Sequence, residues 1–246
     1  MPPHRIYIEP FGGMAGVLLK KDRSEVEVFN DLDSRVVNFF RVIRDPEQFG
    51  ELKRRCELTP YSREEFRDLC AAPEPDDPVG RAYWFFVRCR QARGGIGLGR
   101  LTPNAWATSL RSRRQMPEPV SKYLSAVDGL ADVAERFRLV MIENIPAVEL
   151  IEKYDHPEAL FYCDPPYLAE TRSGGKADAY RIEMTNEDHS RLLDGLLRCR
   201  GRVMLSSYDS PLYRDRLKTW NRSEKATHVQ FSNSGNDRVE VLWMNW

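Results

Sequence analysis

Residues Asp164-Pro165-Pro166-Tyr167 follow the apolar run 159–163 (ALFYC) and bring together a carboxylate, a backbone carbonyl and an aromatic face. Proline fixes its own backbone torsion, so the carbonyl of Pro165 is held in place relative to its neighbours. An aromatic amino group such as that of adenine has two N–H donors on a flat ring. Asp164 and the Pro165 carbonyl can accept both, while Tyr167 stacks on the ring. Accepting both hydrogens draws the nitrogen lone pair out of conjugation and frees it to attack a methyl sulfonium in line. A base in a duplex must leave its stack to reach such a pocket. Stacking on an aromatic side chain, about 1–3 kcal/mol per base, offsets part of that cost.

A second cluster lies near the amino terminus, Glu9-Pro10-Phe11-Gly12-Gly13-Met14-Ala15-Gly16. It follows a predicted strand and is expected to precede a helix, the place where doubly wound folds receive nucleotide-like ligands. The glycine spacing is not the dinucleotide fingerprint. Glu9 would repel a pyrophosphate but suits a cation. Asn30-Asp31 ends the next strand, where an acidic side chain can accept hydrogen bonds from ribose hydroxyls. A cationic ribose ligand without phosphates fits both, and S-adenosylmethionine has those features. Ser206-Ser207-Tyr208 is a further candidate for shaping the base pocket. The four histidines are scattered singly and read as structural, with Asp188 and His189 taken as a surface capping group. No metal site is expected: the five cysteines are dispersed without a Cys-x-x-Cys pair, which argues for reduced, structural thiols.

Positioning these residues requires a sheet. Segments 5–8, 25–29, 138–142, 159–163 and 201–206 read as short buried strands. Helical patterns occupy 33–43, 146–153 and 185–199, the last opened by Thr185 with Asp188 as capping partner. Alternating strands and helices predict a mostly parallel, Rossmann-like α/β sheet. Segments 226–232 and 238–245 flank the turn sequence 233–237 and predict an antiparallel hairpin at the end. The stretch between the second and third strands is too long for a crossover. The expected organisation is therefore a catalytic domain of residues 1–44 and 137–246 with an inserted helical subdomain of 45–136, its helices at 47–57, 62–71, 79–92 and 119–137.

The formal charge is zero, yet residues 81–114 hold eight arginines and no Asp, Glu or Lys. The same window carries Tyr83, Trp84, Phe85, Phe86, Trp106 and a glycine-rich turn at 94–99. Guanidinium groups among aromatics suit a nucleic-acid surface, although residues 83–87 read equally well as one buried helical turn. Arg88, Arg93, Arg100, Arg111, Arg113 and Arg114 are the candidate DNA contacts. No apolar run reaches the roughly 20 residues of a membrane helix, and the opening residues form no signal segment, so a cytoplasmic protein is expected.

Taken together, "YIEPFGGMAGVLL", "VEVFNDLDSRVVNFFRVIRD", "LFYCDPPYLAETR", "GRVMLSSYDSPLY" and "VEVLWMNW" resemble the Dam-like, alpha-group adenine-N6 DNA methyltransferases over nearly the whole chain. The resemblance implies a site-specific enzyme, bacterial or phage-encoded and often part of a restriction-modification system. It would move a methyl group from S-adenosylmethionine to a flipped-out adenine in double-stranded DNA, leaving S-adenosylhomocysteine. By the same resemblance Glu9, Pro10, Phe11, Gly12 and Gly13 would line the methionine side of the cofactor. Asp31 would hold its ribose, Glu143-Asn144 would lie near its adenine, and Asp164, Pro165, Pro166 and Tyr167 would form the target-base pocket. The arginine-rich insertion becomes the DNA-recognition subdomain. Members of this group carry a Gly-Gly-Lys-like segment upstream of the glycine loop, and here the chain starts just before the first strand. The expectation is a cofactor pocket open on one side. The alternative is a catalytically silent or truncated DNA-binding relative. A third reading keeps the enzyme but changes the acceptor to cytosine N4 or an RNA adenine.

Overall fold

The structure, a computed structural model, describes residues 1–93, 103–172, 181–227 and 238–246. In chain order the strands are β1 (Ile6–Glu9), β2 (Val26–Asn30), β3 (Ser112–Arg113), β4 (Met116–Pro117), β5 (Met141–Glu143), β6 (Ala159–Cys163), β7 (Arg202–Tyr208), β8 (Asn221–Thr227) and β9 (Arg238–Met244). The helices are α1 (Ser34–Arg44), α2 (Pro46–Leu58), α3 (Arg63–Ala71), α4 (Pro78–Gln91), α5 (Glu118–Asp128), α6 (Leu130–Phe137), α7 (Ala147–Tyr154), α8 (Asn186–Arg198) and α9 (Pro211–Arg216). The chain divides into two compact units, Met1–Leu32 with Val140–Trp246, and Asp33–Leu139.

The first unit is built on a seven-stranded sheet of order β5-β2-β1-β6-β7-β9-β8. The five strands from β5 to β7 pair in parallel, and β9 and β8 finish the sheet antiparallel. The strand order reverses direction between β1 and β6, the position at which open α/β sheets leave a crevice at the carboxyl ends of their strands. One face buries Ile8, Val28, Phe161, Val203 and Leu205 against Leu150 and Ile151 of α7, Leu192, Leu193 and Leu196 of α8, Tyr213 of α9 and Leu217 at its end. Thr185 and Asp188 cap α8 reciprocally, as their spacing predicts.

Three expectations need correction in this unit. No helix follows the glycine loop, because residues 10–25 form turns with Gly13 at φ +49 and Ala15 at φ +54, torsions a right-handed helix does not admit. The third strand of the sheet starts at Met141 rather than 138, since α6 runs to Phe137 and Arg138 caps it in a helical conformation. The edge strand β8 is the polar segment Asn221–Thr227, paired from Asn221↔Met244 to Thr227↔Arg238. Charged residues suit an edge that must not recruit a further strand, which is why an apolar pattern did not reveal it. The turn expected at 233–237 lies outside the described residues. Helix α9, opened by Ser210 accepting from the Tyr213 amide, had no counterpart among the expected helices.

The second unit is mainly helical. Asp33 caps α1, Asp45 caps α2 and Asp77 caps α4, each by accepting backbone N–H groups of the first turn. The expected helix 119–137 is two, α5 and α6, separated at Gly129. Phe39 stacks on Phe86 at 5.8 Å and Phe40 on Phe137 at 4.0 Å between ring centroids, so α1, α4 and α6 share one aromatic core. Segment 33–43, expected to belong with the sheet, thus packs within Asp33–Leu139. Of the aromatic run, Trp84, Phe85 and Phe86 are buried and Tyr83 is half-buried.

Candidate active site

Glu9 is the last residue of β1 and Asp164 the first after β6, so the sheet brings both carboxylates to the crevice where strand order reverses. Glu9 is buried and accepts a hydrogen bond of 2.7 Å from the Tyr7 hydroxyl. Burial pushes its carboxyl up to about 7; the bonds from Tyr7 and the Leu18 amide and the charge of Lys21 pull it down, and Asp164 pushes it up further. Asp164 is open to solvent on one side. The protein packed around the other side raises its pKa, Tyr167 and Ser206 lower it by hydrogen bonding, and Glu240 raises it again. A carboxylate so placed is more basic than a free one while still held ready to accept N–H donors.

The glycine loop is tied to β2 by hydrogen bonds. The Gly12 amide donates to the Asn30 carbonyl at 2.8 Å, and the Gly13 amide donates to the Asp31 side chain at 2.8 Å. Gly12 sits against the Phe29 ring so closely that a Cβ there would collide with it. Phe11 packs against the sheet core, and Pro10 presents its carbonyl to Asn30. Asn30 is fully buried and was not singled out from the sequence as a positioning residue. Its Nδ2 donates to the carbonyls of Pro10 at 2.8 Å and Ile145 at 3.1 Å, and its Oδ1 accepts from the Ile145 amide at 3.0 Å. One side chain thus joins the loops after β1 and β5. Asn144 donates to the Asp31 carbonyl at 2.6 Å and remains exposed. Glu143 is held by Lys153 and Tyr154, both at 2.7 Å, which keep its carboxyl below the usual range.

In the Asp164–Tyr167 turn Pro165 is buried, and Pro166 and Tyr167 are half-buried. The Tyr167 hydroxyl lies 2.8 Å from Ser206 Oγ, and its ring meets Tyr208 edge-on at 4.5 Å. Ser206 and Tyr208, both on β7, therefore join the motif, whereas Ser207 turns to the opposite face and accepts from the Trp243 indole at 3.0 Å. His189 is buried rather than at the surface, bonded to the Tyr213 hydroxyl at 2.8 Å. Burial, with the charge of Arg172, depresses its pKa to about 4.

In the helical unit Arg93, Arg111, Arg113 and Arg114 are exposed, and Arg100 lies outside the described residues. Arg88 differs. It is buried with its guanidinium carbon 3.7 Å from the centre of the Trp84 ring, one helical turn away on α4, and burial lowers its pKa. That position takes it out of the set of surface arginines. Arg81 pairs with Glu74 at 3.3 Å, an acidic partner just outside the charged window. Arg114 and Gln115 turn between β3 and β4 with φ of 54 and 61, the left-handed torsions of a tight hairpin turn.

Residues 114–231 match the family model described as D12 class N6 adenine-specific DNA methyltransferase. Over that span the chain is similar to the D12-class methyltransferases. The matched span contains Asp164, Tyr167, Arg172 and Ser206, whereas Glu9, Asn30 and Asp31 precede it and are joined to it through the sheet. The resemblance to the Dam-like enzymes read from the sequence agrees with that class. No curated protein matches the chain. No helix among the described residues is long and apolar enough to cross a membrane.

Proposed function

We propose that the protein is an S-adenosylmethionine-dependent DNA methyltransferase acting on N6 of an adenine rotated out of the duplex. The observation that carries this reading is the convergence, at the carboxyl ends of β1, β2, β6 and β7, of buried Glu9, the Gly13–Asp31 bond, Asp164 and the Tyr167–Ser206 pair. A buried carboxylate beside a glycine loop whose amides are spoken for by Asn30 and Asp31 favours a cationic ligand over a phosphate. S-adenosylmethionine supplies an electrophilic methyl group on sulfur when bound there. Glu9 and the glycine loop would hold its methionine end, and Asp31 its ribose. Asn144 and Glu143 would border its adenine.

The target adenine stacks on Tyr167 and donates its two amino hydrogens to Asp164 and the Pro165 carbonyl. With both hydrogens held, the nitrogen lone pair would be free to take the methyl group that the cofactor would supply, the C–S electrons staying on sulfur. The nitrogen then sheds one proton to Asp164, whose raised pKa suits it as acceptor. The helical unit of residues 33–139 serves as the DNA-recognition subdomain, with exposed Arg93, Arg111, Arg113 and Arg114 on phosphates. The deciding experiment is transfer of labelled methyl to unmethylated duplex DNA, followed by digestion to nucleosides. Label in N6-methyladenine supports the reading. A folded protein that transfers nothing, and binds no S-adenosylmethionine, overturns it in favour of a silent DNA-binding relative.

A further inference from the structure

We propose that Arg172, five residues past Tyr167, is a positioning residue for the target-base pocket, acting as a strut between Tyr167 and Glu183. This rests on the methyltransferase reading above and extends its machinery beyond the Asp-Pro-Pro-Tyr turn. The guanidinium uses two of its edges at once. Nε donates to the Tyr167 carbonyl at 2.6 Å, joined by Nη2, while Nη1 and Nη2 donate to Glu183 Oε1 and Oε2 at 2.8 and 2.7 Å. Its side chain is only 8% exposed, and that of Glu183 27%.

Local structure explains how Arg172 reaches back. Thr171 donates from both its amide, at 3.0 Å, and its hydroxyl, at 2.7 Å, to the Leu168 carbonyl, and the Arg172 amide donates to that of Ala169. The chain therefore winds through a single tight turn after Tyr167 and returns the Arg172 side chain to the carbonyl it has just left. Tyr167 is then gripped at both ends, its hydroxyl by Ser206 and its carbonyl by Arg172. A base can stack productively only if that ring keeps its place, and a displacement of about 1 Å at a reacting centre costs about 100-fold in rate. Lysine cannot substitute, because an ammonium has no planar fork able to meet a carbonyl and a carboxylate along two edges.

The test compares wild type with Arg172→Lys, Glu183→Gln and the double variant. Turnover of the single variants should fall about 10- to 100-fold. Cofactor affinity should stay within about 2-fold, since the strut joins Tyr167 to Glu183, and the double variant should lose little more than the worse single one, as expected of residues acting as one unit. Arg172→Lys turnover within about 2-fold of wild type, or losses that multiply in the double variant, would overturn the strut. If Arg172→Lys does not fold, Glu183→Gln alone decides by the same turnover criterion. Amide exchange of residues 164–172 separates the two claims. Should wild type itself transfer no methyl, the methyltransferase reading fails, while faster exchange in the variants supports the strut and unchanged exchange refutes it.

Discussion

The hydroxyls of Tyr167 and Ser206 meet at 2.8 Å across two adjacent strand ends, one after β6 and one on β7. Asp164 is coupled to this pair, because both hydroxyls lower its pKa against the effect of burial. Replacing Asp164 by Ala should reduce methyl transfer by about 100-fold or more while leaving cofactor binding and the unfolding midpoint little changed. Ser206→Ala removes one of two hydroxyls and should cost about 3- to 10-fold. Steady-state turnover with cofactor titration of each variant checks both, and an Asp164→Ala enzyme of normal turnover would remove the carboxylate from the mechanism.

Glu9 titrates near 7 in the fold against an ordinary 4.5. The folded state therefore binds more protons than the unfolded chain between those values, and stability contributed by Glu9 is full below about 4.5 and lost as pH rises to about 7. Glu9→Gln should abolish that fall, measurable as the difference in urea midpoints of the two proteins across this range. Binding runs the opposite way. A cationic cofactor prefers the ionised carboxylate, so affinity for S-adenosylmethionine should rise with pH up to about 7 and should do so less for S-adenosylhomocysteine, which lacks the sulfonium charge.

Asn30 carries three hydrogen bonds at a fully buried position. Asn30→Ala leaves two carbonyls and an amide without their partner and should destabilise the protein by about 2–3 kcal/mol. Equilibrium unfolding in urea reads this change. Cofactor affinity should weaken along with it, since the glycine loop and the loop after β5 lose their common anchor.

Arg111, Arg113 and Arg114 are exposed, whereas Arg88 is buried on Trp84. Joint replacement of the three by Ala should weaken DNA binding and flatten the plot of log affinity against log salt by about 0.9 for each phosphate no longer neutralised. Arg88→Ala should lower stability and leave that slope alone. Fluorescence anisotropy over a series of salt concentrations distinguishes the two behaviours.

Where short-range chemistry sets a residue's place in the fold, that place was legible in the sequence. Glu9, Asp31 and Asp164 each follow an apolar strand run, and the sheet brings all three strands side by side. The capping pair Thr185–Asp188 needed only its spacing. What escaped depends on partners far along the chain. Asn30 reads as one more polar residue at a strand exit until Ile145 is seen beside it, 115 residues on. Arg172 looks like any surface arginine, since its role comes from the turn that folds it back on Tyr167. Arg88 misled for the opposite reason. Its neighbours in sequence are cationic, but its neighbour in space is an indole face.

Strand β1, the middle one of the five parallel strands, has a consequence for how the chain is made. Ile6 pairs on one side with Val26 and on the other with Ala159. During synthesis β1 and β2 leave the ribosome together, but the other edge of β1 waits until the whole of Asp33–Leu139 has been translated. Throughout that interval an apolar strand with unpaired backbone groups is open to capture by other chains.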